Sequence, residues 1–180
     1  DLLSLSRVEV DEHNIPDETV PVMEVLRSVI ASLETRATRN NMTVILDDRR
    51  PDGGPRLMMK GFSDEINEVF HNLIDNAVKY AGDGEESRIT VGLAADKQNV
   101  RLSVSDNGPG IPEDRREDVI KRFVRLDESR TKPGTGLGLS LVHAVAGLHG
   151  GALELSTTDT GNEVRPGLDA TIVLPARVMP

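Results

Sequence analysis

The chain of 180 residues contains no cysteine, which excludes disulfides and thiolate metal sites; that is compatible with a reducing cytosol without requiring one. Aromatic side chains are almost missing too. Phe62, Phe70, Tyr80 and Phe123 are the whole set, so the core has to be mostly aliphatic. No apolar run approaches the roughly 18 residues that would cross a membrane, and the start lacks a basic-then-apolar signal pattern. A soluble chain without direct membrane contact is therefore expected. Positive charge is in short supply: the formal net charge is −9, which disfavours a general nucleic-acid or anionic-membrane binder. The exception is local. Lys121 to Lys132 (KRFVRLDESRTK) carries five basic residues against two acidic ones, whereas residues 1–20 carry six acidic residues against Arg7 alone.

What is present suits one domain with one hydrophobic core. DLLSLSRVEV at the start has helix-compatible spacing of Leu2, Leu5 and Val8, but is too short to be stable alone. DEHNIPDETVP reads as a linker over 11–20, and Pro21 suits the first position of a helix. From Val22 the apolar residues Val25, Leu26, Val29, Ile30, Leu33 and Ala37 predict an amphipathic helix ending near Arg39. MTVILDD and LMMKG read as strands flanking the PDGGP turn. Ser63, Asp64 and Glu65 open a second helix with its apolar face on Ile66, Val69, Phe70, Leu73, Ile74 and Ala77. Strands at Ile89–Leu93 and Val100–Asp106 flank a polar hairpin turn. After an irregular stretch from Glu113 to Pro133 come a helix from about Leu137 to Leu148 and two strands, near Leu153 and from Leu168 to Leu174. The expected class is α+β, with one mixed sheet and helices on a single face.

Three groups of residues stand out chemically. On the second helix, Asn72, Asn76 and Lys79 share a narrow stripe at the border of the apolar face. There an amide oxygen can ligate Mg²⁺ and an ammonium can meet phosphate, although boundary asparagines also commonly bond a neighbouring loop. Val100, Leu102, Val104 and Asp106 share one strand face, so Asp106 points to the apolar side and needs a partner. It either caps the loop amides of Asn107 and Gly108 or accepts a hydrogen bond from a ligand amino group such as that of adenine. Gly108 and Gly110 allow close approach to the backbone, and Tyr80 is either a stacking surface or core. Lastly, glycines 134, 136 and 138 precede an apolar helix whose amides can face an anion. No strand precedes them as a Rossmann fingerprint requires, and the G-K-[ST] of a P-loop is missing.

Taken together, HNLIDNAVKY from His71, DNGPGIP from Asp106 and GTGLGLS from Gly134 resemble the N, G1 and G2 boxes of the GHKL superfamily. The form is that of the HATPase_c domain, the catalytic and ATP-binding domain of bacterial two-component sensor histidine kinases. The resemblance runs from about Pro21 to Pro175 and implies a Bergerat-type α/β sandwich with a mixed, mostly antiparallel sheet. It implies ATP and Mg²⁺ as cofactors, with Asn76 holding the metal, Asn72 and Lys79 near the phosphates, and Tyr80 against the adenine. Asp106 would read the adenine amino group, with Gly108 and Gly110 shaping that end. KRFVRLD resembles the F box, with Phe123 anchoring a flexible lid over about 111–133 and Arg122 or Arg125 reaching the phosphates. Gly134, Thr135, Gly136, Leu137 and Gly138 fall in the G2 box.

Residue chemistry narrows that resemblance. ATP-hydrolysing relatives such as gyrase carry a glutamate base one helical turn before the metal-binding asparagine. Here that position is Asn72, which cannot accept a proton at neutral pH. None of His13, His71, His143 and His149 lies in the H-[ED]-x-x-[TN]-P context of a phosphoacceptor. Residues 1–10 resemble the end of the second dimerisation helix of such kinases. The chain, which opens on Asp, is thus expected to be a piece of a longer protein: the catalytic domain over 21–180, without its acceptor. The implied partners are its own histidine-bearing dimerisation domain and a response regulator. The implied setting is cytoplasmic, the fragment monomeric and the full protein a homodimer. A non-catalytic nucleotide-binding regulator and an anti-sigma-type serine kinase are the alternatives.

Overall fold

The computed structural model describes residues 18–50, 57–61, 63–82, 87–96, 98–121, 123–124, 136–159, 161–175 and 177–178. The strands are β1 (Thr19–Pro21), β2 (Thr43–Asp48), β3 (Leu57–Lys60), β4 (Arg88–Ala95), β5 (Asn99–Asp106), β6 (Ala152–Thr157), β7 (Leu168–Pro175) and β8 (Arg177–Val178). The helices are α1 (Val22–Arg39), α2 (Ser63–Tyr80), the short α3 (Arg116–Val119) after a 3₁₀ turn at Glu113–Arg115, and α4 (Gly138–Leu148).

Five strands form the main sheet in the order β2-β4-β5-β7-β6, with β2 and β4 parallel and every other pair antiparallel. The class is α+β with a mixed, mostly antiparallel sheet, as the residue pattern predicted. Register explains why one face is apolar. Val91 pairs with Val104, Val104 with Ala170, Leu93 with Leu102, Leu102 with Ile172, and Val100 with Leu174, so these side chains all emerge on one side. The helices cover that side. Leu26, Val29 and Leu33 of α1, Ile66, Val69, Phe70, Leu73 and Ile74 of α2, and Leu141, Val142 and Val145 of α4 are buried in the same core. Each such side chain contributes about 1.5–3 kcal/mol by leaving water. The other face carries Arg101, Ser103, Ser105 and Thr171, whose alternation with the buried residues is what keeps the sheet one-sided.

Three details differ from the sequence expectation: residues 113–119, read as the start of an irregular stretch, form the 3₁₀ turn and α3, and the other two concern the strands. Thr19–Pro21, read as the end of a linker and the first turn of a helix, pairs with β3 instead, while β8 pairs with the other side of β3. The result is a second sheet of three strands, β1-β3-β8, rather than a single sheet. Pro21 is extended (φ −76°, ψ 97°) and immediately precedes α1. A proline fits there because β1 is an edge strand and its missing N–H interrupts no ladder. Three-residue strands carry too little alternation to be seen in sequence; Val20, fully buried and paired with the buried Met59, is the residue that fixes this one.

Candidate active site

Asp106 ends β5, the middle strand of the main sheet, on its apolar face and is only 5% exposed. Its Oδ1 accepts hydrogen bonds from Gly108 N–H (2.8 Å) and Leu168 N–H (3.3 Å). Both bonds reach the same oxygen, and among the described residues none reaches Oδ2. The capping expectation holds for Gly108, while the second amide on the carboxylate is that of Leu168, at the start of β7, rather than that of Asn107. Burial pushes the carboxyl above the ordinary carboxylate range, and the two amides and the nearby Arg165 charge pull the other way. A donor on Oδ2 would relieve that cost.

The turn after Asp106 is pressed between two other segments. A Cβ on Gly108 would stand 2.5 Å from the Tyr80 carbonyl oxygen at the end of α2, so only glycine lets the turn approach the helix this closely. Gly110 has φ +70°, and a Cβ there would meet the Gly167 carbonyl oxygen at 2.7 Å. Gly167 in turn donates its N–H to Gly108 O at 2.9 Å. Its own φ is +68°, and a Cβ on it would lie 2.1 Å from Asp106 O. The Pro166-Gly167 pair is a turn signal that could have drawn attention to this loop. Arg165, beside it, carried no signal at all.

At the other end, α2 places Asn72 and Asn76 one turn apart, both half-buried. Asn72 Nδ2 donates to Glu68 O (2.8 Å), which leaves its carbonyl oxygen as the outward acceptor. A Cβ on Gly138 would lie 3.2 Å from that oxygen, so the first residue of α4 faces Asn72 directly. The asparagine stripe and the glycine cluster, far apart in sequence, are thus neighbours. Leu137 contributes backbone here, its side chain being buried. Gly136 (φ +72°) accepts a hydrogen bond from Phe123 N–H at 3.1 Å, while the Phe123 ring is 61% exposed. Tyr80 is half-buried beside the Gly108 turn.

Lys79, the third polar residue of the stripe, is engaged by an acidic neighbour on its own helix. Its ammonium pairs with Asp75 Oδ2 at 2.6 Å, and Asp75 Oδ1 accepts from Arg36 of α1. In sequence both Asp75 and Arg36 look like ordinary surface charges. Arg122, Arg125, Gly134 and Thr135 lie outside the described residues, as do residues 1–17, with the segment read as the end of a dimerisation helix and most of the segment read as a linker. Among the described residues no helix is long and apolar enough to cross a membrane, and no cluster of three His, Cys, Asp or Glu side chains is placed to hold a metal.

A one-sided α+β sandwich with a buried carboxylate at the end of its central strand defines a Bergerat-type nucleotide-binding domain. Residues 61–178 match the family described as Histidine kinase-, DNA gyrase B-, and HSP90-like ATPase, and the chain belongs to that family. Within it the chain is homologous to the catalytic, ATP-binding module of bacterial sensor histidine kinases. The signal transduction histidine-protein kinase/phosphatase MprB of Mycolicibacterium vanbaalenii is 34% identical over 181 residues, covering 100% of this chain and 35% of MprB. The phosphate regulon sensor protein PhoR of Pseudomonas aeruginosa is 34% identical over 159 residues, covering 87% of this chain and 34% of PhoR. The solved structure of a mycobacterial sensor histidine kinase MprB superposes with a TM-score of 0.75 at 32% identity, covering 90% of this chain and 99% of that one. The chain spans about a third of the length of the curated relatives it matches.

Proposed function

We propose that this domain binds ATP with Mg²⁺ and donates the γ-phosphoryl group to a histidine on a separate dimerisation domain of the same protein, in the cytoplasm. From that histidine the group passes to an aspartate of a response regulator. The observation that carries the reading is Asp106: a buried carboxylate with one oxygen committed to the turn and the other open to a donor suits the 6-amino group of adenine. Tyr80 lines the same end. At the opposite end Asn76 is the ligand for Mg²⁺, whose charge neutralises the phosphates when bound. In this reading Asn72 and the Gly134–Gly138 segment serve the phosphates, Lys79 joins them by exchanging its Asp75 partner for phosphate, and Arg122 or Arg125 is the further phosphate contact.

The reaction exchanges the bond between the γ-phosphorus and its bridging oxygen for a phosphorus–nitrogen bond on imidazole. A neutral imidazole attacks through its unprotonated nitrogen, ADP leaves, and the proton on the other ring nitrogen passes to the acceptor domain or solvent. This domain therefore needs no base to activate the nucleophile, and Asn72 supplies none that would activate water. Catalysis by such a site rests on positioning and charge stabilisation. The test mixes this domain, γ-labelled ATP and a separately prepared histidine-bearing dimerisation domain. Acid-labile label on that domain is the expected result. Nucleotide binding without transfer would instead make this a regulatory module, and acid-stable label would make it a serine kinase.

A further inference from the structure

Arg165 belongs to none of the motifs, yet it joins three separate segments at the nucleobase end. From the loop before β7, its Nε donates to Asn107 O at 2.8 Å and its Nη2 to Ala81 O at 2.9 Å, with Ser87 Oγ 3.5 Å from the same Nη2. Asn107 directly follows Asp106. Ala81 directly follows Tyr80 at the C-terminal end of α2, where carbonyls lack helical partners and a cation complements the helix dipole. Ser87 leads into β4. The side chain is half-buried, and its planar fork reaches two carbonyls from two of its nitrogens, which a lysine ammonium on its flexible stem does not reproduce. The same loop then supplies Gly167 N–H to Gly108 O and Leu168 N–H to Asp106 Oδ1. The positive charge also opposes the effect of burial on the Asp106 carboxyl.

Building on the reading of the site as an ATP pocket, we propose that Arg165 is a positioning residue for nucleobase recognition. By tying the Asn107 carbonyl to the Ala81 carbonyl, it sets the Asp106 carboxylate against the end of α2 and so determines selectivity for a 6-amino purine. A residue that merely braced the fold would affect all nucleotides alike, so base selectivity is the discriminating measurement. Calorimetric titration with Mg-ATP and with Mg-inosine triphosphate, which carries an oxygen in place of the amino group, is to be made on wild type, Arg165→Met, Arg165→Lys, Asp106→Asn and Asp106→Asn/Arg165→Met. Arg165→Met is expected to weaken ATP about tenfold and inosine triphosphate less than about twofold, with Arg165→Lys intermediate. The double variant is expected to bind ATP no more weakly than Asp106→Asn alone, because both changes remove one interaction. Equal losses for the two nucleotides, or additive losses in the double variant, would overturn the proposal. Should Arg165→Met not fold, the Arg165→Lys comparison decides on the same criterion. Wild-type protein that fails to bind ATP, or binds both nucleotides equally, would instead remove the ATP reading itself.

Discussion

The two ends of the site are built from different materials. The end proposed for the nucleobase is fixed through main-chain groups: Gly167 N–H donates to Gly108 O, Leu168 and Gly108 N–H donate to the Asp106 carboxylate, and the glycines leave no room for a Cβ. The end proposed for the phosphates is made of α2 side chains set against the glycine that opens α4, with Asn72 facing Gly138 and Lys79 held by an ion pair. Main-chain bonds within a packed core have few alternative geometries, whereas a lysine on a four-carbon stem can exchange partners at low cost. The difference matches the tasks proposed for them: a base is flat and invariant, while the phosphates change charge and number during transfer.

Removing the Asp106 charge is expected to have the largest effect. In Asp106→Asn the amide oxygen can still accept from Gly108 and Leu168, so the fold should survive. The new NH₂, however, would face the donor group of adenine, and a loss of about 3 kcal/mol, roughly 100-fold in ATP affinity, is expected by calorimetry. The pH sign is the reverse of the usual carboxylate. The folded value lies above 3.8, so the native state holds the proton longer than the unfolded one, and stability without nucleotide falls as pH rises from 3.8 through the folded value. Asp106→Asn should remove that fall; an unchanged acid limb together with wild-type ATP affinity would sink the assignment.

Gly108→Ala tests whether the nucleobase end is as rigid as its bonds imply. The added methyl must displace either the Tyr80 carbonyl or the Ala81 backbone, 2.5 and 2.8 Å away. Neither is the far end of a flexible side chain, so about 2 kcal/mol of stability should be lost in denaturant unfolding. A variant as stable as wild type would show that the turn yields.

How much of this is legible in the sequence follows the same division. The alternation Val100, Leu102, Val104, Asp106 by itself puts a carboxylate on the buried face of a strand, and periodicity places α1, α2 and α4 within a residue or two. Asn72 and Asn76 are legible because a helical stripe is a local property. What is not legible depends on chain segments meeting. The pairing of Asp75 with both Lys79 and Arg36 is hidden because i, i+4 spacing permits the Lys79 bond without selecting it over phosphate, and Arg36 comes from another helix. The role of Arg165 depends on carbonyls 58 and 84 residues away. β1 and β8 escape a reading of pattern because two or three residues carry no period.

The phosphate end can be probed through Asp75. Its carboxylate is shared by Lys79 and Arg36, with the Lys79 side chain 24% and the Arg36 side chain 43% exposed. Solvent screening keeps the pair's share of stability small, about 1 kcal/mol. If Lys79 serves the phosphates, Asp75 competes for it. Asp75→Asn is then expected to raise the ratio of ATP to adenosine affinity about threefold at low salt, a gain that fades as ionic strength rises. An unchanged ratio would assign Lys79 to bracing α1 against α2, leaving phosphate contact to other residues.

The smallest expected effect concerns His149, which follows the last residue of α4, at the opposite end of that helix from Gly138, the glycine that faces Asn72. Its Nδ1–H donates to Val145 O at 2.9 Å, while Nε2 is buried without a hydrogen-bond partner among the described residues. A Cβ on Gly61 would come within 2.5 Å of that nitrogen, so protein packs where water would otherwise solvate it. Burial lowers the imidazole below its usual 6.5, because protonation would place an unsolvated charge in the core. The unfolded chain then binds the proton more readily than the native one, and stability is lost as pH falls from 6.5 through the depressed folded value. This slope is opposite to that of Asp106. His149→Gln should flatten it below pH 6.5 while leaving ATP selectivity over inosine triphosphate untouched, since the imidazole touches neither end of the site. A retained slope in that variant would move its origin to another group, and a changed selectivity would mean that the fixed geometry of the nucleobase end extends through α4 to the base of the helix.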